Sequence, residues 1–286
     1  MNDFSDSAIT QALLEDIVDM DGKLLPGDHT SLACIPVGSK GKAKLICKAD
    51  GVLAGVELAE QIFKEIDEEI EFLPLLADGS KIKPGDIAFT VWGNVIEILR
   101  AERVVLNFMQ RMSGIATLTA AFVARTKGTK AKILDTRKTT PGLRYFEKWA
   151  VRIGGGHNLR FGLYDMFMIK DNHIDYCGGI ANAIDAVNRY QREKNLNLKI
   201  EIEARSLADV ELILSKGNVD RIMFDNFNIE QLQEAVKLVN GKYETEASGG
   251  VTLDTVQQIA QTGVDYISVG ALTHSARSLD LSLKAF

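Results

Sequence analysis

The chain has little of what marks secreted, membrane or nucleic-acid-binding proteins. Its three cysteines, Cys34, Cys47 and Cys177, form no CxxC pair, which leaves a disulfide framework or a structural zinc site without support. No apolar run approaches the ~20 residues that a membrane helix needs. The net charge is −6 and no block of lysine and arginine is present, which argues against nucleic acid as a partner. We therefore expect neither a membrane nor nucleic acid to be bound.

The first ten residues, MNDFSDSAIT, are polar and acidic and contain no apolar core. A secretory signal requires such a core, so the sequence predicts that none is present. Together with the low cysteine content, this predicts a cytoplasmic protein.

The spacing of apolar residues along the sequence changes near residue 115, which indicates two structural parts. Before this point, short strand-like runs such as KAKLICKADGVLAG alternate with turns such as Pro84-Gly85-Asp86, a pattern typical of an α+β unit. The run EILRAERVVLNFMQRM then has apolar residues at helical spacing. We expect this helix to be interrupted at Ser113-Gly114 and to be followed by a second helical run, GIATLTAAFVARTKG.

From Lys130 onward, short apolar strands alternate with amphipathic helices. The predicted strands are AKILDT, MFMIK, KIEIEA, RIMFDN, ETEAS and YISVG. The helices between them carry start signals such as Ser206 or Thr252 and end near glycines such as Gly217 and Gly263. Alternation at this short period predicts a parallel sheet, and about six to seven such units favour a curled α/β barrel over an open doubly wound sheet.

Polar residues and glycines stand at the carboxyl ends of these strands, where a barrel places its active site. They are Arg137 and Lys138, Lys170 and Asp171, Glu201 and Glu203, Asp225 and Asn226, Ser248-Gly249-Gly250, and Gly270. Residues 135–170 contain seven lysines and arginines against three acids, a local net charge of +4. This reversal predicts a pocket for a small polyanion, because guanidinium groups suit carboxylates and phosphates. Glycine after each of the last two strands favours a phosphate cradle, although each glycine also serves its own turn.

The acids Glu203 and Asp225 would enter the barrel mouth from neighbouring strands, beside the predicted phosphate site. Oxygen ligands next to phosphates suit Mg²⁺, so the sequence predicts these two acids as metal ligands and Mg²⁺ as the cofactor. Glu201 alternates with Glu203 on the same face, which leaves open which of them lies nearer the metal. Lys170 is interpreted as a fixed cation that faces a carboxylate. A Schiff-base lysine and a lysine that reaches into the solvent are the alternatives.

Several longer segments form a recognisable pattern. They are DTRKTTPGLR at 135–144, GGGHNLR at 154–160, KDNH at 170–173, EIEARS at 201–206, FDNF at 224–227, ASGG at 247–250 and SVGALTHS at 268–275. These segments resemble the quinolinate phosphoribosyltransferases, also called carboxylating nicotinate-nucleotide pyrophosphorylases. PGDHTSLACIP at 26–36 resembles the N-terminal motif of that family, and RAERVVLNFMQRMSGIAT at 100–117 resembles its interdomain helix. The likeness covers almost the whole chain.

The resemblance implies a type II phosphoribosyltransferase. The expected domains are an N-terminal α/β sandwich at 1–115, an open seven-stranded α/β barrel at 116–275, and a tail at 276–286 that returns to the first domain. The implied reaction transfers the phosphoribosyl group from phosphoribosyl pyrophosphate to quinolinate. Its products would be nicotinate mononucleotide, pyrophosphate and carbon dioxide, in de novo NAD synthesis. A homodimer is also implied, and a hexamer is left open.

The resemblance assigns a role to each site residue. The quinolinate carboxylates would be held by Arg137, Arg160 and Lys170, and by Arg103 from the partner subunit. Lys138 would serve the ligand phosphates. The residues grouped as catalytic are Lys138, Lys170, Glu203 and Asp225, the last two facing the ribose and Mg²⁺. The ribose 5-phosphate would be held by Ser248, Gly249, Gly250 and Gly270.

One position departs from the family motif. Many members read GGGxNHR, whereas this chain has Leu159 before the arginine and its histidine at His157. Because these two side chains share a face in an extended segment, we expect His157 to bind substrate partly in place of the missing imidazole. Two other hypotheses remain: a paralogue associated with molybdate uptake, and a non-enzymatic module that binds pyridine dicarboxylate or phosphate. The intact TRK, GGG and KDNH motifs argue against the first, and the acids Glu203 and Asp225 argue against the second.

Overall fold

The computed structural model describes residues 3–19, 21–23 and 27–286, which form two units. The first unit comprises Met1–Ala120, Thr139–Gly155 and Thr273–Phe286, and the second comprises Ala121–Lys138 and Gly156–Leu272. Pro26, the first residue of the N-terminal motif, lies outside the described residues. The domain bounds expected from the sequence stay a prediction.

Helices and strands follow one another along the chain as listed here in chain order. The helices are α1 (Asp3–Leu14), α2 (His29–Cys34), α3 (Val56–Ile66), α4 (Val95–Arg125), α5 (Arg144–Ile153), α6 (Asp171–Cys177), α7 (Ile180–Glu193), α8 (Leu207–Lys216), α9 (Ile229–Val239), α10 (Val256–Gln261) and α11 (Ala271–His274). The strands are β1 (Lys40–Cys47), β2 (Gly51–Val52), β3 (Glu71–Pro74), β4 (Lys81–Ile82), β5 (Ile87–Asn94), β6 (Lys132–Leu134), β7 (Phe167–Ile169), β8 (Ile200–Ala204), β9 (Arg221–Asp225), β10 (Glu244–Ser248), β11 (Tyr266–Ser268) and β12 (Leu281–Ala285).

An antiparallel sheet with the order β12-β1-β5-β3 organises the first unit. Leu45 of β1 is fully buried and pairs with Leu283 on one side and Phe89 on the other. The ring of Phe89 packs against Phe63 of α3, with 6.0 Å between the centroids, and against Phe72 at 4.6 Å. Aromatic burial of this kind contributes strongly to a small core. The sheet and α3 thus form the α/β layer pair expected for this part of the chain.

Helix α4 runs without interruption, which corrects the break predicted at Ser113-Gly114. The Ser113 hydroxyl is buried and bonds the backbone of Ala54, accepting from its N–H at 2.9 Å and donating to its carbonyl at 3.2 Å. At Gly114, a Cβ would lie 2.9 Å from the carbonyl carbon of Arg277 and closer still to its oxygen. The two small residues therefore serve close backbone packing on one face of the helix, and they do not end it.

A parallel sheet organises the second unit, with the strand order β6-β11-β10-β9-β8-β7. Helices separate successive strands, as the alternation in the sequence predicted, and the arrangement is an open α/β barrel. Within the described residues the sheet has six strands, whereas the family resemblance implied seven. An isolated parallel bridge between Leu134 and His157 stands beside β6, so the segment around His157 takes the place of a further strand.

The helix ends follow the predicted signals at most positions. Ser206 caps α8 by accepting the Asp209 N–H at 3.2 Å, and Gly217 ends the same helix with a φ of 70°. Thr252 does not start α10, because it bonds Thr255 within a turn and the helix begins at Val256. Across the described part of the chain, no helix combines the length and apolar character needed to cross a membrane.

Gly114→Ala should destabilise the first unit, because the added methyl group meets the Arg277 backbone. A glycine-to-alanine change inside a helix ordinarily stabilises by roughly 1 kcal/mol. Here we expect a loss of about 1–3 kcal/mol in the free energy of unfolding, measured by urea denaturation. The control is Asn107→Ala, which adds alanine at an exposed position of the same helix. Equal or greater stability of Gly114→Ala would show that the contact is not tight.

Candidate active site

The parallel pairing brings the predicted site residues to one edge of the sheet in the second unit. Ser248 at the end of β10 is in register with Asp225 at the end of β9. Lys170 follows β7 directly, Glu203 is the fourth residue of β8, and Gly270 follows β11 by two residues. Since strands of a parallel sheet run in one direction, their carboxyl ends lie together. The side chains predicted from separate motifs are therefore neighbours.

Two acids and a lysine meet at this edge. The Glu203 side chain is nearly buried, and its Oε2 lies 4.0 Å from Nζ of Lys170. Burial raises the pKa of Glu203, and the nearby charge of Asp225 raises it further, while Lys170 opposes the shift. The Asp171 N–H also donates a hydrogen bond to the Glu203 carboxylate. A cation bound between two carboxylates that repel one another would offset their repulsion, so this edge of the sheet suits a bound cation.

Two arginines form the positive side of the site. Arg160 is half-buried, and its pKa is lowered by burial and then by the positive charge of Arg137. The two guanidinium groups are thus close enough to repel, and an anion between them would relieve that repulsion. Lys138 follows Arg137 and is exposed, with its N–H bonded to Thr136 Oγ1 at 3.0 Å. The arrangement suits an anion with more than one negative group.

The turn at residues 248–250, which we call the 248–250 turn, has the backbone expected of a ligand loop. Gly249 has a φ of 96° and Gly250 a φ of 60°, a region that other residues rarely adopt. No atom of the described part of the chain lies within 4 Å of the position that a Cβ would take at Gly250. The turn is therefore open to a group approaching its backbone. Gly270 lies between β11 and α11, at the end of the neighbouring strand.

Glu201 lies two positions before Glu203 in β8, and its side chain is fully buried. Its Oε2 lies 3.5 Å from Nη1 of Arg221, which also donates to Oε2 of Glu246 at 2.8 Å. The hydroxyl of Ser268 donates to the other oxygen of Glu246. Glu203 is thus the neighbour of Asp225, and Glu201 belongs to an interior cluster. Which of the two acids lies nearer a metal stays a prediction.

This interior cluster, Glu201, Arg221 and Glu246, carries strongly shifted pKa values. Burial raises the pKa of Glu201 well above its ordinary value, and the charge of Glu246 adds to the shift. Burial also raises the pKa of Glu246, although Ser268 and Arg221 oppose the shift. Among the residues that the structure describes, none forms a hydrogen bond with Oε1 of Glu201. One arginine shared by two buried carboxyl groups favours a proton on one of them, and Glu201 has the weaker bond to Arg221.

The GGGHNLR segment is fixed by Asp135, a fully buried acid at the end of β6. Its carboxylate accepts hydrogen bonds from the Leu159 N–H at 2.9 Å and from the Asn158 side chain. The His157 side chain is exposed, and His157, Leu159 and Arg160 line a common cavity of about 360 Å³. The segment therefore holds Arg160 close to β6. The substrate contact expected of His157 stays a prediction.

The remaining predicted residue, Arg103, lies on α4 in the first unit, and its side chain is exposed. Its predicted role in a partner subunit's site stays a prediction. In the described ranges, no group of three or more histidine, cysteine and acidic side chains is placed to hold a metal ion. Mg²⁺ takes only one or two protein carboxylates and completes its coordination with water and substrate oxygens, so the pair Glu203 and Asp225 is compatible with that ion.

Sequence reasoning missed residues that the structure connects to the site. Arg221 is the first residue of β9 and Glu246 lies in the middle of β10. A charged residue in a buried strand was the only feature of the sequence that could have indicated a role for either of them. His173 of the KDNH motif accepts the Lys170 N–H on Nδ1 at 2.9 Å, which fixes the start of α6. Asn226 stands next to Asp225 in the FDNF motif, but its residue type alone did not indicate a role.

Comparisons with known proteins agree with this geometry. The family model for the C-terminal domain of quinolinate phosphoribosyl transferase matches residues 115–284, and the N-terminal domain model matches residues 28–113. Quinolinate phosphoribosyltransferase [decarboxylating] 2a, mitochondrial, from Nicotiana tabacum is 49% identical over 90% of this chain and 77% of the relative. The chloroplastic nicotinate-nucleotide pyrophosphorylase [carboxylating] from Arabidopsis thaliana is 48% identical over 90% and 78%.

Solved structures show the same relationship. The crystal structure of NadC from Streptococcus pyogenes superposes with a TM-score of 0.90 at 38% identity, covering 100% of this chain and 99% of that one. The chain belongs to the quinolinate phosphoribosyltransferase family. It is an enzyme that transfers the phosphoribosyl group of phosphoribosyl pyrophosphate to quinolinate with decarboxylation, giving nicotinate mononucleotide, pyrophosphate and carbon dioxide in NAD biosynthesis.

The comparisons also correct one expectation. The cytoplasmic location predicted from the polar N terminus is wrong, because similar plant enzymes carry the words mitochondrial and chloroplastic in their names. The physical reason is that a missing apolar core argues only against a secretory signal. Segments that direct import into organelles are themselves polar and amphipathic, so polarity does not indicate the cytoplasm.

Glu201→Gln should change how stability depends on pH. Because folding raises the pKa of Glu201 above its ordinary value of 4.5, the folded state binds the proton more tightly than the unfolded state. Wild-type stability should therefore fall as pH rises above the unfolded pKa, by up to about 1.4 kcal/mol per pH unit, until the folded pKa is passed. Glu201→Gln should remove this fall in urea denaturation between about pH 5 and pH 8.

The matched control is Glu211→Gln, which removes an exposed carboxylate of α8 in the same unit and should leave the pH profile unchanged. Parallel profiles for Glu201→Gln and wild type would mean that Glu201 is ionised in the folded protein at neutral pH.

Proposed function

We propose that quinolinate and phosphoribosyl pyrophosphate react at the carboxyl edge of the sheet in the second unit. The observation that supports this proposal is that positively charged and negatively charged side chains lie at the same edge of the sheet. Arg137 lies near Arg160 on one side, and Glu203 lies near Asp225 on the other, with Lys170 beside Glu203. A reaction that joins a dianionic ring to a sugar that becomes positively charged needs both.

Quinolinate is bound by Arg137, Arg160 and Lys170 through its two carboxylates. Guanidinium groups bond carboxylates in a bidentate way, and the mutual repulsion of the two arginines is relieved when the anion binds. Nicotinate lacks the carboxylate at the second position of the ring, so it would leave part of this half-buried charge unpaired. Rejection of nicotinate follows from that unpaired charge. His157, on the same segment as Arg160, adds a contact to the substrate.

Phosphoribosyl pyrophosphate is bound through its phosphates. Ser248, Gly249, Gly250 and Gly270 hold the 5-phosphate with backbone N–H groups, which the positive φ values of the 248–250 turn make available. Lys138 serves the ligand phosphates from its exposed position beside Arg137. With the phosphates bound in this way, Glu203 and Asp225 face the ribose, because its reacting carbon lies between the 5-phosphate and the pyrophosphate.

Glu203 and Asp225 hold Mg²⁺ together with oxygens of the substrate. The support is that burial and then the nearby charge of Asp225 raise the pKa of Glu203, which a divalent cation would offset, and that Mg²⁺ takes only one or two protein carboxylates. When bound, Mg²⁺ neutralises charge that develops on the leaving pyrophosphate.

The chain's own groups orient the reactants and stabilise charge. As the bond from the ribose carbon to pyrophosphate breaks, the carboxylates of Glu203 and Asp225 stabilise the positive charge on the sugar. The pyridine nitrogen then forms the new bond to that carbon. The resulting positive ring nitrogen stabilises the electron pair that stays on C2 when the bond to carbon dioxide breaks. That pair then takes a proton from solvent, which gives nicotinate mononucleotide. No protein nucleophile is required, so Lys170 acts as a cation and forms no Schiff base.

Glu203→Gln and Asp225→Asn should each lower kcat about 100-fold to 1,000-fold, since each removes a charge that stabilises the transition state. Quinolinate affinity should stay close to that of wild type, because the cations remain. The measurements are pyrophosphate release and a calorimetric titration with quinolinate. Asp185→Asn is the control, since it removes an exposed acid of α7 in the same unit. Full turnover in both variants would show that the acids are misassigned.

The enzyme works as a homodimer in which Arg103 of each subunit joins the quinolinate site of the other. Arg103 is an exposed cation on α4, where a second subunit can reach it. A hexamer built from such dimers would keep the same shared sites. The proposal rests on the family resemblance together with the exposure of this arginine.

Mixing two inactive variants tests the shared site. Arg103→Ala and Arg160→Ala should each lose most activity, and subunit exchange should restore about a quarter of the wild-type value, because half of the dimers are mixed and each has one intact site. Coupled carbon dioxide release measures the recovery. A mixture of Arg103→Ala with Arg189→Ala, which changes an exposed arginine of α7, should keep the same activity before and after exchange and so controls for effects of the mixing procedure. If Arg103→Ala and Arg160→Ala fail to complement, the arginine acts within its own subunit or not at all.

A further inference from the structure

We propose that Asn226 is a positioning residue that holds Asp225 and the 248–250 turn in a fixed relation. The inference rests on the proposed function, because it takes Asp225 as a ligand of Mg²⁺ and the ribose, and the turn as the site of the 5-phosphate. It adds a residue whose contacts join those two parts of the site.

The backbone of Asn226 is unusual for its place in the fold. Within the described chain, four residues other than glycine have a positive φ, namely Asn195, Asn218, Asn226 and Asn240. Three of them follow helices: Asn195 comes after α7, Asn218 after α8, and Asn240 caps α9. A left-handed residue at the end of a helix is a common way to stop it. Asn226, with a φ of 56°, follows strand β9, so no helix accounts for its conformation.

Three contacts explain the conformation. The Asn226 N–H donates to the carbonyl oxygen of Ser248 at 2.9 Å. Its side-chain Nδ2 donates to Oδ2 of Asp225 at 2.8 Å. Its side-chain carbonyl fills the space beside Gly249, where a Cβ would lie 2.6 Å from Cγ of Asn226. One residue therefore contacts the acid at the end of β9 and the turn at the end of β10.

The chemistry of these contacts favours asparagine over its nearest substitutes. Glycine adopts a positive φ easily but has no amide to bond Asp225. Aspartate has the same shape, yet it would add a negative charge beside Asp225 and has no N–H to donate. Asparagine tolerates the left-handed region and offers both a donor and an acceptor. Asparagine thus meets both requirements of this position, a backbone with positive φ and a neutral amide that donates to Asp225.

These contacts link the position of the Asp225 carboxylate to the position of the turn that holds the 5-phosphate. A hydrogen bond to one oxygen of Asp225 fixes its rotamer and leaves the other oxygen for a ligand. The backbone bond to Ser248 and the packing on Gly249 keep the turn at a set distance from that oxygen. A sugar phosphate held by the turn is therefore presented to Asp225 in one geometry, which is what a positioned reaction requires.

The test is Asn226→Gly, which removes the side chain and keeps the backbone conformation accessible. Its matched control is Asn240→Gly, which makes the same change at another left-handed asparagine. We expect Asn226→Gly to lower kcat about 10-fold to 100-fold and to raise the KM for phosphoribosyl pyrophosphate, with quinolinate affinity unchanged. Asn226→Asp should lose activity in the same way, and Asn240→Gly should behave as wild type. Thermal unfolding of each variant checks that it is folded.

A double variant separates this inference from the proposed function. If Asn226 acts through Asp225, Asn226→Gly should have much less effect in an Asp225→Asn background than in wild type. Additive losses in the double variant, or wild-type kinetics for Asn226→Gly, would overturn the positioning role. If instead Asp225→Asn alone leaves turnover intact, the proposed function of the acid fails, and this inference fails with it for a different and identifiable reason.

Discussion

The site depends on one constraint, the parallel pairing of strands β7 to β11 with β6. Parallel strands bring their carboxyl ends to one edge, and residues that are far apart in sequence, such as Arg137 and Gly270, come to that same edge. The register of Ser248 with Asp225 and the 4.0 Å separation of Lys170 from Glu203 both follow from this pairing. A shift of one strand by one residue would turn every side chain of that strand to the opposite face and would remove the site.

Beneath the site, the sheet buries charge that a barrel does not need for its stability. Burial by itself would lower the pKa of Arg221, but Glu201 and Glu246 raise it, so the arginine stays charged. Buried ion pairs rarely add net stability because desolvation offsets their attraction, which argues for a role other than holding the fold together. Both Glu201 and Glu246 interact electrostatically with Lys170, and Glu201 also with Arg160. The cluster thus sets the charge environment of two cations assigned to quinolinate.

Much of this architecture can be read from the chain because local signals and the fold agree. The six strands from AKILDT to YISVG and the cap at Ser206 follow from periodicity and from the residue types at helix starts. Ser113-Gly114 misled the prediction because its reason is a distant contact with Ala54 and Arg277, which no local pattern contains. The role of Asn226 was hidden for the same reason, since its partner Ser248 comes from the next strand. Motif resemblance supplied the reaction, which spacing alone could not.

The most direct test of the account is a crystal structure with quinolinate and an unreactive analogue of phosphoribosyl pyrophosphate bound. We expect the two ring carboxylates to lie within hydrogen-bonding distance of Arg137, Arg160 and Lys170. We also expect the sugar phosphate to lie against the 248–250 turn and Gly270. Ligands bound at the amino ends of the strands, or these three cations turned away from the ring and into solvent, would contradict the proposed site.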